Sequence, residues 1–219
     1  MTDIEKQLYQ GLQDYLPKAA LPTIVEWLVD YKVHLKISKS RATKLGDYRS
    51  PSRGYGHRIS VNNDLNPYSF LNVLVHELAH LVTFEKHKNR VKPHGMEWKM
   101  NYQNLMTVFL GRNIFPSDLE AAIEAYMQNP AASSCVDTTL YKFFKKYDAP
   151  PSTLPHGFKK AFVEELVVGT KFVTPTGQVF VKGVKLRKRF KCLQVNTGRW
   201  YVFSPIAEVY YMPNQILPT

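Results

Sequence analysis

"LVHELAHLVTFEKHKNRVKPHGMEW", residues 74–98, sets His76 and His80 four positions apart with Glu77 beside the first. On an α-helix, side chains at i and i+4 lie one above the other, so both imidazoles can face a single ion. Glu77 then points at the open coordination position of that ion and does not ligate it. The surrounding pattern supports a helix. It opens at Asn66-Pro67, with proline suited to a first turn, and Leu71, Leu74, Val75, Leu78 and Val82 form an apolar stripe turned toward a core. No later proline interrupts it. The two histidines fall on a neighbouring face, where a cleft would lie. The competing reading, a helix whose histidines and glutamate only face water, fits this context less well.

Two histidines hold zinc poorly, and a catalytic site needs three protein ligands with one position left for water. In that chemistry Glu77 takes a proton from the attacking water and hands it to the leaving amine. Four residues compete for the third place: Glu85, His87, His94 and Glu97. The extended pattern HExxHxxGxxH fails, because Thr83 and Lys86 stand where it needs glycine and histidine. A continuing helix would carry Glu85 and His87 out of reach. Glu97 needs its own helix turned toward the ion. His94 follows a loop long enough to reverse direction and is preferred over Glu97.

Outward from this stretch the chain reads as α+β. Thr2 and Glu5 make a capping-box pattern ahead of a first helix, and "TIVEWLVDY" after Pro22 reads as a second. "YKVHLKIS", "TKLGDYR" and "GHRISVN" alternate like strands and predict a small antiparallel sheet. His34 and His57 fall in it and read as ordinary strand residues. After the histidine helix come "GMEWKMNYQNLMTVFLG" and "PSDLEAAIEAYMQ", the latter capped by Ser117. A linker with one short amphipathic piece, "DTTLYKFFKKY", occupies 131–157. Residues 158–219 alternate between turns such as "PTGQ" and "NTGR", as in a small all-β, barrel-like subdomain or curled sheet.

The 219 residues carry 29 lysines and arginines against 18 acids, a formal charge of +11, which points to a polyanionic partner such as nucleic acid. From 151 to 219 ten bases face three acids. Within that tail Lys182, Lys185, Arg187, Lys188, Arg189 and Lys191 interleave with Phe190, and Trp200 and Tyr201 follow. Cations for phosphates with aromatics for bases suit a single strand held without sequence choice. Cys135 and Cys192 are too few for a cysteine zinc site and suit a reducing compartment. With no long apolar run, and an N-terminus "MTDIEKQLYQ" unlike a signal peptide, the expected location is cytoplasmic and DNA-associated.

HELAH, followed after thirteen residues by HGMEW, resembles the SprT family of zinc metalloproteases, the group that includes the DNA-dependent protease Spartan. The matching residues are His76, Glu77, His80, His94, Gly95 and Trp98, and the likeness covers roughly residues 5–130. It implies an HExxH zincin-type domain over 1–130, zinc held by His76, His80 and His94, and Glu77 as catalytic base. It also implies substrates among DNA-bound or DNA-crosslinked proteins, as in crosslink repair. Many such proteins follow the protease domain with a cysteine zinc ribbon; here the basic β-rich tail stands in that place. The rival expectation is a nucleic-acid-binding protein without proteolysis, its metal structural or regulatory. A general peptidase with incidental charge is the third. Tyr48, Tyr55 and Tyr102 are the candidates for stabilising an oxyanion.

Overall fold

Thr2 and Glu5 close a capping box on the first helix, α1 (Asp3–Leu12), and Pro22 lies in the first turn of the second, α2 (Leu21–Asp30). Three strands follow, β1 (His34–Ser38), β2 (Gly46–Arg49) and β3 (Arg58–Asn62), then the long helix α3 (Pro67–His87), whose cap Asn66 accepts from the backbone of Ser69. Next come α4 (Met96–Thr107), α5 (Ser117–Met127) and α6 (Thr138–Lys145). Ser117 is the first residue of α5 and makes no capping bond, contrary to expectation; Pro116 occupies the cap position. This computed structural model describes residues 1–41, 44–130, 138–148 and 157–216. The chain divides into two compact units, Met1–Ala149 and Pro150–Thr219.

The three strands form a mixed sheet in the order β1-β3-β2. An antiparallel sheet was expected; instead β3 pairs antiparallel with β2 and parallel with β1. From β1 the chain crosses to the far edge before returning through the middle, so β1 and β3 run the same way. Alternation in a sequence marks which residues share a face but not which strand is the neighbour. Ile59 and Val61 point into the core, while Arg58 and Ser60 face outward. α3 lies against this sheet and is buried on nearly every side, including Phe70, Leu71, Leu74, Leu78 and Leu81. It is the centre of the first core, not the edge helix that a single apolar stripe suggests.

The short helix expected inside the linker belongs to that same core. Leu140 and Phe144 of α6 are buried among its residues. Asn66, besides capping α3, donates to the Phe144 carbonyl at 2.9 Å and to Asp148 at 2.7 Å. Lys146 and Tyr147 both reach Asp118 at the start of α5. An eight-residue helix is marginal alone, so docking of its apolar face is what holds it. The stretches 131–137 and 149–156, with Cys135, lie outside the described residues.

In the second unit β4 (Lys159–Phe162), β5 (Thr170–Val173), β6 (Val179–Lys185), β7 (Phe190–Gln194), β8 (Trp200–Phe203) and β9 (Glu208–Ile216) make one antiparallel sheet. Its order is β4-β9-β5-β6-β7-β8. Among the described residues β4 and β8 remain edges, so the strands form an open sheet where a barrel-like closure was expected. Val163, Phe172, Phe180, Phe190, Cys192 and Val209 form its own small core.

Phe144 provides the test of where α6 belongs. Phe144→Ala is expected to lower the unfolding free energy of the first unit by about 3 kcal/mol, the range for emptying a buried phenylalanine site. Urea unfolding followed by fluorescence reads it, and a change below about 0.5 kcal/mol would show that α6 is not part of that core.

Candidate active site

His76 and His80 rise from α3 one turn apart, and His94 comes back against them from the loop before α4. Nε2 of His76 lies 3.2 Å from Nε2 of His94 and 3.3 Å from Nε2 of His80. Three neutral imidazoles presenting the same ring nitrogen to one another cannot all be hydrogen-bonded; the arrangement is a set of lone pairs aimed at one point. The edge of a tetrahedron with metal–nitrogen bonds of 2.0–2.1 Å is about 3.3 Å, which is the spacing of His76 from each of its two neighbours. These three form a cluster able to hold a metal. Glu85, His87 and Glu97 are not in it. Glu85 pairs with His57 and Lys88, and the Glu97 carboxylate lies against Gly95.

His94 reaches the site through its backbone. Its φ of 57° is left-handed, which costs a non-glycine residue about 1–3 kcal/mol. Gly95 then caps α4 in extended conformation. The strain is outweighed by the packing of α4 on α3. Asn101 donates to Thr83 at 2.9 Å and accepts from Lys86 at 2.8 Å, and Tyr102 donates to Asn72 at 2.6 Å. Trp98, 1% exposed, is the common wall of the cluster, its ring centre 4.6, 5.4 and 4.7 Å from those of His76, His80 and His94. Packing against all three rings is how Trp98 orients the ligands.

Burial sets the electrostatics. Burial first, then the neighbouring imidazoles, pushes His76 down to about 3 and His80 down to about 4; burial also lowers His94. All three are neutral at pH 7, the form that binds metal. Glu77 is 7% exposed and pushed up to about 8, by burial foremost and by Asp47 second; the backbone N–H of Tyr48 works the other way. A cation among the imidazoles would draw that carboxyl back toward its charged form.

Gly46 explains how Glu77 comes to lie under β2. A Cβ there would stand 2.7 Å from Val73 Cγ1 and collide with Glu77 Oε1, so only glycine lets the strand backbone approach α3 so closely. Neither Gly46 nor the Tyr48 amide was legible in advance, since no local pattern marks a contact between residues thirty apart. Tyr48 also lines the cleft, its ring parallel to that of His80 at 6.5 Å. Its hydroxyl lies 2.9 Å from His57 Nδ1, and His57 Nε2 lies 3.3 Å from Glu85. Because a carboxylate only accepts, a neutral His57 bonded to Glu85 donates from Nε2, which leaves Nδ1 to accept from the Tyr48 hydroxyl. Tyr102, by contrast, is buried and committed to Asn72, which removes it from the oxyanion candidates.

The cluster opens on a cleft of about 790 Å³ whose walls include Tyr48, Tyr55, Thr83, Phe84, Pro93 and Trp98. The six expected nucleic-acid contacts lie in the second unit. Lys185, Arg187, Lys188 and Arg189 are exposed there, and Lys191 sits 4.4 Å from the centre of the Trp200 ring. Lys182 departs from expectation. It is 4% exposed, bonds to the Glu164 carbonyl at 3.1 Å and to the Leu166 carbonyl, and lies over Phe190. It shares the inward face with Phe180 and Cys192 and so cannot reach a phosphate.

Residues 20–123 match the SprT-like family. Protein SprT of Escherichia coli (strain K12) and Protein SprT of Shigella boydii serotype 18 are each 33% identical over 106 residues, covering 40% of this chain and 63% of theirs. The chain therefore spans less than two thirds of the length of these curated relatives. No solved structure gives a significant match.

For metal-free protein the shifted groups predict two pH effects of opposite sign. The depressed histidines contribute stability that is complete above pH 6.5 and is lost as pH falls through about 4 and 3, because the unfolded chain takes up protons that the cluster refuses. Glu77, raised from 4.5 to about 8, contributes stability that is complete below pH 4.5 and lost as pH rises through 8. In chemical denaturation series across this range, His76→Ala is expected to flatten the acid side and Glu77→Gln the alkaline side. Slopes unchanged in both variants would show that neither group titrates as its burial requires.

Proposed function

The chain belongs to the SprT-like family, and on that premise we propose that it is a zinc-dependent metallopeptidase of SprT type, with a zincin-type first unit, acting on proteins bound or crosslinked to DNA. The observation that carries this reading is the convergence of three imidazoles, with His76 at tetrahedral spacing from the other two, beside a buried glutamate, at the mouth of an open cleft. Three nitrogen donors with room for a fourth ligand is the pattern of catalytic zinc, whereas structural sites are closed by four. Histidine ligands favour zinc among the available ions.

His76, His80 and His94 would hold the zinc, which when bound supplies a Lewis acid and lowers the pKa of a water in its remaining position toward 7. The chain's own residues do the rest. Glu77 removes a proton from the attacking water and returns it to the leaving amine, and the Tyr48 backbone N–H favours its charged form. β2 is an edge of its sheet among the described residues, so an extended substrate can lie along it beside the cleft. The Tyr48 phenol, held protonated by burial, is a donor within the cleft.

The exposed cations of β6 and the turn after it, with Lys191 and Trp200, support a tether to nucleic acid in the second unit. Tethering raises the local concentration of DNA-bound substrate, so an unselective cleft cuts mainly what sits on DNA.

Zinc-loaded protein and its Glu77→Gln variant provide the test, with a DNA-binding protein and casein as substrates, with and without single-stranded DNA. Glu77→Gln is expected to retain zinc while cleavage falls by at least about a hundredfold. DNA should stimulate cutting of the DNA-binding protein and not of casein. Full activity in zinc-loaded Glu77→Gln would remove Glu77 from the mechanism, and no cleavage by zinc-loaded wild-type protein would favour the non-proteolytic rival. Stimulation absent from both substrates would leave a general peptidase.

A further inference from the structure

We propose that the outer face of the β1-β3-β2 sheet binds a nucleic-acid strand through Lys36, Arg49 and Arg58, and that this track continues into the cleft beside His80 and His94. The inference rests on the proposed nucleic-acid partner but not on the peptidase chemistry. It places a phosphate-binding surface inside the first unit, separate from the basic tail.

The register of the sheet makes the case. Arg58 stands directly opposite Arg49 on one side and His34 on the other, so one row across all three strands carries two guanidiniums and an imidazole on the solvent face. The next row is Lys36, Ser60 and Asp47. Like charges directly opposite one another destabilise a sheet. Asp47 pairs with Arg49 at 3.0 Å and Lys44 at 2.8 Å, and it is the only acid lining the hollow of about 400 Å³ over this face. With Lys36, Arg41, Arg49 and Arg58 set against that one acid, the hollow is net positive and fits a ligand with repeated negative charge.

That surface is continuous with the catalytic cleft, because Arg49 and Arg58 line both hollows. The cleft adds Arg53, Lys88 and Lys92, with no acid among its lining residues. Lys88 is paired with Glu85. Arg53 is held at φ 51° next to Gly54 at φ 81°, in a turn closed by reciprocal Ser52 and Tyr55 backbone bonds of 3.1 and 3.0 Å. Asparagine or glycine would take that backbone without strain. The strained turn instead presents a cation at the cleft rim, next to Tyr55.

Tyr55 favours nucleic acid over an acidic polypeptide. The residue is 64% exposed on the cleft wall, with the Arg58 guanidinium 4.9 Å from its ring centre. An exposed aromatic among arginines offers a stacking surface for a base next to contacts for its phosphates. An acidic peptide needs the cations but gives the ring no partner. The chain would thus hold the strand against the cleft itself, bringing a crosslinked protein to the histidines.

The test is binding of fluorescent oligothymidylate to full-length, zinc-loaded protein over a salt series, read by anisotropy. The Arg49→Ala/Arg58→Ala variant is expected to bind at least about tenfold more weakly, and the slope of log K against log salt should shrink by about 1.4, or 0.7 per lost phosphate contact on a single strand. Lys36→Ala removes an exposed side chain with little risk to folding and should lower the slope by about 0.7. Unchanged affinity and slope in both variants would overturn the proposal. So would equal competition by polyglutamate of matched charge, which would assign the face to acidic polypeptide. Because binding is read without turnover, loss of casein cleavage bears on the peptidase reading alone.

Discussion

Three imidazoles can share one point only if α4 is held flat against α3, and most of the first unit is arranged around that contact. Two imidazoles come from a single helix and need nothing but its geometry. The third arrives from a loop, so its position is only as firm as the interface behind it. Buried hydrogen bonds from Asn101 to Thr83 and from Tyr102 to Asn72 pin the two helices in one register. Left unpaired in the core these groups would each cost about 1–3 kcal/mol, which makes sliding of one helix past the other unfavourable. Trp98 fills the remaining space beneath the rings, and His94 accepts a left-handed backbone because the interface overrides it.

A second constraint follows from the first. With α3 central and enclosed, Glu77 is shielded from solvent, and β2 passes so close at Gly46 that the Tyr48 backbone N–H favours the charged form of its carboxyl. Burial makes the carboxyl a stronger base than a surface glutamate. The same burial keeps the histidines neutral. The enclosure that stabilises the core thus also prepares the site, and Gly46 is the position where the two demands meet.

Charge is distributed over both units. The second unit carries exposed cations in the connection between β6 and β7, while Lys182, from the same run of sequence, is turned inward and bonded to carbonyls. In the first unit strand register gathers Arg49, Arg58 and Lys36 onto one face, although they are far apart along the chain. Charge counted along a sequence therefore finds the first surface and misses the second.

The sequence by itself determined the helix of His76, Glu77 and His80, the candidacy of His94, most element positions, and the change to β structure in the tail. Each depends on a local period or spacing, and helical geometry relates i to i+4 wherever the helix sits. Only the tertiary structure decided that β1 runs parallel to β3, that α6 joins the first core, that Tyr102 is committed to Asn72, and that Lys182 is buried. It likewise decided that Gly46 admits the strand over Glu77. These are contacts between residues distant in sequence. Their partners are chosen by competition among all the surfaces the chain must bury, and no local pattern records the outcome.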